Sequence, residues 1–268
     1  DLLLDNRELK TKYFSLNYFK DFKMTKRFLL FVSSWIAWIA SSSIFAQTST
    51  INEVLQCTIK PGYSVDEIVT VGRAIPRNEN GPNLVFYREP IVANPSRAGS
   101  INVVRHWDNF EHMIRGLESQ TPSGPSRHFF TMVDCAGTRA VAKVMGGITE
   151  QGQGNPYQGG DVELSYVAMR QCELKAGNDM QDVQRALRDF DQENRQPGDR
   201  SGFGFLQMIA SGQEGPMNSS FVIRIIGQNP TNLAERLDSQ AWNIPQDSDP
   251  AMCGNLSLWR SHVIHWGI

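Results

Sequence analysis

Gln56-Cys57-Thr58-Ile59-Lys60-Pro61-Gly62 (QCTIKPG) returns later in the chain as Gln171-Cys172-Glu173-Leu174-Lys175-Ala176-Gly177 (QCELKAG). Farther along, Asn109–Ser119 (NFEHMIRGLES) returns as Asn229–Ser239 (NPTNLAERLDS), and each copy then reaches one more cysteine, Cys135 or Cys253. Self-similarity in the same order over such lengths marks a structural unit used twice, so the fold can be read one copy at a time.

Working outward from the cysteine phrase, Ile51–Lys60 and Tyr166–Lys175 are rich in β-branched and apolar residues and stop near a glycine, which predicts a strand opening each copy. A helix follows. In the first copy Ser64 is a natural N-cap with Glu67 three residues on, as in a capping box, and Ile68, Val69 and Val71 form an apolar face. In the second, Asp179 precedes Val183, Ala186, Leu187 and Phe190 at helical spacing. Leu84–Tyr87 and Phe203–Ile209 read as second strands, Ile101–Trp107 and Phe221–Ile226 as third strands. Loose Gly/Pro/Asn-rich connections (ANPSRAG and SGQEGPMNS) join them, as hairpin loops often do. Asn109 and Asn229 cap a second helix, with Pro230 at a first helical position where a missing N–H costs nothing. Thr138–Met145 and Leu256–Trp266 close the copies as fourth strands, and Arg127–Val133 (RHFFTMV) predicts an extra short strand in the first copy alone.

The order β-α-β-β-α-β is the ferredoxin-like motif. The expected class is α+β, with two tandem ferredoxin-like units spanning residues 47–150 and 162–268. Residues 151–161, containing the polar run Gly152–Gly160 (GQGNPYQGG), join them as a linker. In element order and duplication the chain resembles the dimeric α+β barrel superfamily, here as a pseudo-dimeric barrel fused in one chain. The resemblance implies two sheets placed together around an interior. It also implies an alternative set of activities, since some members are cofactor-independent monooxygenases or haem-handling enzymes with Asn, His, Trp or Arg around the cavity.

Four cysteines allow three connectivities, and the sequence alone does not choose among them. In a ferredoxin-like sheet the first strand lies antiparallel beside the fourth, so the end of one meets the start of the other. That arrangement pairs Cys57 with Cys135 and Cys172 with Cys253. No Cys-x-x-Cys occurs and no histidine stands at ligand spacing beside a cysteine, so structural bridges are expected rather than a metal or redox site.

Bridged cysteines require an oxidising compartment, and the N-terminal region agrees. From Met24, Lys26 and Arg27 form a basic n-region, Phe28–Ala40 (FLLFVSSWIAWIA) an apolar h-region, and Ala46 a cleavage position before Gln47. The serines and the small terminal residue favour a signal peptide over residues 24–46 rather than an uncleaved anchor, and hence a secreted or periplasmic protein. Residues 1–23 read as a start assigned too early, or as an N-terminal extension. Seven of 26 basic and four of 28 acidic residues precede Gln47, leaving 19 against 24 and a net charge of −5. A mildly acidic chain without a Lys/Arg cluster is a poor partner for nucleic acid or anionic lipid. No membrane partner is expected after signal removal, and the expected state is a monomer or weak homodimer.

The strand faces supply the best lead to chemistry. Ile101, Val103, Arg105 and Trp107 share one face, matched by Phe221, Ile223 and Ile225, and should lie under the helices. Asn102, Val104 and His106, matched by Val222, Arg224 and Ile226, then point into the barrel. Asn102, His106 and Arg224 are therefore the candidate ligand-binding residues, polar groups in a largely apolar cavity. The copies differ there, so any site should be asymmetric. Trp107 faces away from His106, which weakens an enzyme reading that uses both. His112 is expected on a helix surface, and His128 lies in the RHFF segment. His262 and His265, three apart on a strand, could chelate jointly only across a bulge; Trp259 and Trp266 flank them as packing residues. No Gly-x-Ser-x-Gly elbow, Walker A loop, His-Glu-x-x-His or EF-hand loop occurs, and no metal or cofactor is expected. Asn218-Ser219-Ser220 and Asn255-Leu256-Ser257 match glycosylation sequons. Three functions are consistent with these features: a binder of a small apolar or aromatic ligand, a monooxygenase-like or haem-handling enzyme, and a protein-interaction module.

Overall fold

A computed structural model describes residues 50–135, 139–147, 163–199, 201–211, 219–227, 229–239 and 249–266. The expected signal segment and linker lie outside them. Thr48–Ile268 form one compact unit. Its elements run β1 (Ile51–Ile59), α1 (Val65–Arg73), β2 (Leu84–Val92), β3 (Ser100–Trp107), α2 (Phe110–Glu118), α3 (Gly124–Met132), β4 (Val133–Asp134) and β5 (Arg139–Gly147). They continue β6 (Leu164–Leu174), α4 (Met180–Asn194), β7 (Gly202–Ser211), β8 (Ser220–Gly227), α5 (Pro230–Asp238), β9 (Ala251–Cys253) and β10 (Ser257–Trp266).

The helix starts follow from their caps. Ser64 and Glu67 form the capping box of α1, and Asp179 and Asp182 form that of α4. Asn109 and Asn229 accept the backbone N–H of His112 and Asn232 at the starts of α2 and α5.

β1 pairs with β3 and β5, and β3 with β2, giving the order β5-β1-β3-β2. β6 pairs with β10 and β8, and β8 with β7, giving β10-β6-β8-β7. Two further pairings, β2 with β10 and β5 with β7, close the eight strands into an antiparallel barrel. The fold is α+β. Helix residues Ile68, Val69, Phe129 and Met132 pack on one flank of the sheet, and Val183, Leu187 and Leu233 on the other.

One element differs from expectation. The RHFFTMV segment is mostly helical, with only Val133 and Asp134 forming a strand against β1. Its aromatic and β-branched content favours a strand, but Ser123 caps a helix there, accepting from the Ser126 N–H, with Pro125 in the first turn. Phe129 and Met132, three apart, then bury on one helix face while Phe130 stays exposed.

The bridges form as the strand neighbourhood requires, Cys57–Cys135 and Cys172–Cys253, each with Cα atoms 4.0 Å apart. β4 and β9 are the short strands that bring the second cysteine of each pair beside β1 and β6. Cys57 and Cys172 are buried within the two helix-covered cores.

The helix-covered face also holds a fully buried carboxylate. Glu53, fully buried on β1, accepts the Trp107 indole N–H at 3.1 Å and pairs with Arg105 at 2.7 Å and Arg139 at 3.3 Å. Arg105 thus lies on the expected face because a countercharge is there to meet it.

Two consequences for stability follow. Replacing both cysteines of either bridge with serine should lower stability by about 4 kcal/mol and the melting temperature by about 10 °C in non-reducing thermal denaturation. Glu53→Gln, which leaves Arg105 buried without its countercharge, should cost about 3–5 kcal/mol in urea unfolding.

Candidate functional site

Directly paired residues of an antiparallel sheet project to the same face, so the ladder registers define the barrel interior. His106 sits between Asn52 and Leu84, Val104 between Val54 and Phe86, and Asn102 between Gln56 and Arg88. On the other half Ile226 sits between Val167 and Gly202, Arg224 between Met169 and Gly204, and Val222 between Gln171 and Leu206. Phe86, Val104, Val167, Ile226 and Trp259 pack together as the apolar centre. This is the face opposite to Trp107, whose ring belongs to the helix side with Glu53.

His106 points into the barrel, on the face of its cross-strand partners Asn52 and Leu84. Asn52 Nδ2–H donates to His106 Nε2 at 3.0 Å, and Phe86 meets the imidazole edge-on with ring centroids 5.8 Å apart. Burial, then the positive fields of Arg224 and Arg88, hold the imidazole well below its ordinary pKa. His106 is thus neutral at pH 7, and its Nε2 accepting from Asn52 leaves Nδ1 to carry the proton. Asn102 and His106 lie four residues apart on one strand, roughly 13 Å along it, so one ligand touches both only by spanning that length. Asn102 keeps company with Arg88 instead, its direct cross-strand partner. Asn102 is 8% exposed, and its Oδ1 has no hydrogen-bond partner. Arg88, 2% exposed, is fixed by donating Nε–H to Ser261 Oγ at 2.9 Å and by stacking over Phe86 at 5.6 Å.

Reading one strand per copy misses Arg88 and Asn52, which only the neighbouring strands bring to the interior. It also misses two glycines. Gly202 and Gly204 pair with Ile226 and Arg224 as Leu84 and Phe86 pair with His106 and Val104. One half of the interior is thus filled by Leu84 and Phe86, and the corresponding positions of the other half carry no side chain. His106, Met169, Val222 and Arg224 retain part of their accessible surface although they point inward, whereas Asn52, Phe86, Val104 and Val167 retain none. The sequence signal was available in Gly202-Phe203-Gly204-Phe205: glycines two apart in a strand mark a face where something else approaches.

The remaining histidines lie elsewhere. β10 carries a register shift between Val263 and His265, and this bulge brings His265 to the outer face that His262 occupies. His262 Nε2 lies 3.2 Å from Glu89. Among the described residues no group of three His, Cys, Asp or Glu could hold a metal ion. His112 is half-buried rather than on the open helix surface, because its ring packs edge-on against Trp107 and pairs with Asp108 at 3.2 Å. His128 is exposed on α3 beside a shallow groove that Tyr63, Asp66 and Thr70 also border. Trp259 belongs to the barrel centre. Asn255 is exposed, while Asn218 lies outside the described residues.

The depressed His106 pKa has a stability consequence. The unfolded chain binds a proton at the ordinary histidine pKa and the folded chain only at lower pH. His106 therefore costs nothing above about pH 6.5 and destabilises progressively as pH falls below it. His265, lowered by burial and then by Arg77, acts in the same direction. Thermal melts between about pH 7 and pH 5 should show the loss, and His106→Gln should reduce its slope; an unchanged slope would contradict the enclosed, neutral imidazole.

Neither a protein-family model nor a curated protein sequence matches the chain. Solved structures do. A candidate monooxygenase from Lactobacillus acidophilus aligns with 82% of this chain and 98% of its own length, at 9% identity and a TM-score of 0.50. An anthrone oxidase-like protein aligns over 81% and 91%, at 12% identity and a TM-score of 0.47. A variant chlorite dismutase from Candidatus Nitrospira defluvii aligns over 80% and 92%, at 8% identity and a TM-score of 0.47. Likeness at such identities concerns the fold alone: the neighbours are dimeric α+β barrel proteins, and this chain shares their closed antiparallel barrel.

Proposed function

We propose that this is an exported binding protein whose barrel holds one small apolar or aromatic ligand, with Asn102, His106 and Arg224 supplying polar contacts. The observation that carries the reading is the asymmetric interior, in which Gly202 and Gly204 stand at the positions that Leu84 and Phe86 hold in the other half. An eight-stranded barrel is about wide enough either to be filled by its own side chains or to hold one small ligand, and the two glycines tip it to the second outcome. The unpartnered Oδ1 of Asn102 adds a polar anchor.

In this reading two ferredoxin-like halves, residues 47–150 and 162–268, are joined by the linker 151–161, and the strand orders β5-β1-β3-β2 and β10-β6-β8-β7 support that division. The two disulfides fit an oxidising environment and so support export through a signal peptide at residues 24–46. No described helix is long and apolar enough to cross a membrane. The protein acts as a monomer or weak homodimer.

An oxygenase-like enzyme is the second reading, favoured by the neutral imidazole inside an apolar barrel and by the fold of the candidate monooxygenase. The engagement of His106 Nε2 by Asn52 weighs against it, since the nitrogen that would take a substrate proton already accepts a hydrogen bond. The residues do not fit a haem either. The inward His106 lies against the barrel wall with Phe86 edge-on and fully buried Val104 beside it, and a macrocycle would displace both.

Titration with 2-naphthol, a neutral aromatic probe, tests the binding reading through the fluorescence of Trp259. Saturable binding at one equivalent is expected, with loss of binding in Gly204→Leu, whose side chain fills the space while the fold is kept. An equal response from wild type and Gly204→Leu, or none from either, would overturn it.

A further inference from the structure

Asn102 differs from the polar side chains around it in the barrel. Asn52 is bonded to His106 at 3.0 Å, Gln56 to Arg97, and Ser261 to Arg88 at 2.9 Å. Asn102 is directed inward by its pairing with Gln56 and Arg88 and is 8% exposed. Its side chain makes no hydrogen bond to a described residue, and its buried Oδ1 has no donor. A buried amide left in this state works against folding, so a leucine of similar shape would serve the fold better.

The level of Asn102 in the barrel is also the level that solvent reaches. Towards the end at which β1 and β6 finish, inward residues pass from buried to partly or fully exposed: Asn52 to Gln56 on β1, Val167 to Gln171 on β6, and Ile226 to Val222 on β8. Asn102 is the direct partner of Gln56 and so lies just inside that end. Val104 and Phe86 are the next inward residues on β3 and β2, and they belong to the apolar centre beyond it.

We infer that Asn102 determines which molecules this barrel takes: the ligand carries an O–H or N–H donor at one end, given to Asn102 Oδ1, and its apolar body lies inward against Val104 and Phe86. The inference rests on the ligand reading above and narrows its chemistry. An acceptor buried by a ligand that offers no donor loses its solvation without compensation, whereas a donor at the same place gains a bond in a water-poor setting. A site of this kind discriminates strongly between a hydroxyl compound and the same body lacking the hydrogen. It also orients the ligand, polar end towards the accessible level and rings towards the apolar centre.

Isothermal titration of the disulfide-bonded protein with 2-naphthol and with 2-methoxynaphthalene, which keeps the rings and the oxygen but has no O–H, tests this. The naphthol should bind at least about 10-fold more tightly than the ether. Asn102→Leu should bring the two affinities within roughly 2-fold of each other, and Asn102→Ala, which adds no bulk, should do the same. In ligand-free thermal denaturation Asn102→Leu should melt about 2–4 °C above the wild type, since it removes an amide without a partner. Equal affinities in the wild type, a preference that survives in Asn102→Ala, or a lowered melting temperature in Asn102→Leu would overturn the assignment of Asn102 while leaving the ligand reading intact. Failure of both probes to bind the wild type would overturn both.

Discussion

Backbone N–H and C=O groups along the rim of a sheet must find partners, and that requirement organises this molecule. The order β5-β1-β3-β2 ends in two rims, as does β10-β6-β8-β7. Each half supplies what the other lacks, through β2 against β10 and β5 against β7. Closure leaves no rim among the eight barrel strands and forces each of them to present alternate residues to an enclosed interior. The helices cover the outer face, so the two sides of a single strand live in different media. The disulfides secure this from the outer side, fixing β4 to β1 and β9 to β6.

The distinction between the two media is visible within adjacent residues. Arg105 and His106 are neighbours on β3, and Arg88 and Glu89 are neighbours on β2. The outward member of each pair meets an opposite charge or a histidine: Arg105 meets Glu53, and Glu89 meets Arg260 and His262. The inward members face apolar rings, thioether and amide. Stability accounts for the outer pairs, since a buried carboxylate held by two guanidinium groups and an indole is satisfied.

Much of the fold was legible because its signals are local. Caps at Ser64, Asn109, Asp179 and Asn229 mark helix starts, and the repeated cysteine phrase gives strand order and bridge pairing once a sheet order is assumed. Alternation along β3 and β8 correctly separates the Trp107 face from the His106 face. Less legible was everything that depends on neighbours. α3 carries strand-favouring residues but is decided by Ser123 and Pro125 at its start. The bulge in β10 reverses the facing of His265, and no residue pattern announces it. Arg88, Asn52 and the two strand glycines join the site only through cross-strand register, which a strand read singly does not contain.

The glycines of β7 have one more consequence. When a barrel is assembled from two identical subunits, a two-fold axis repeats every inward residue, so a group on one wall must reappear on the opposite wall. Joining both halves in one polypeptide lifts that rule: Phe86 projects a ring inward where its counterpart Gly204 carries no side chain. A molecule entering such a barrel meets a single orientation instead of two equivalent ones. Each wall is free to change without altering the other.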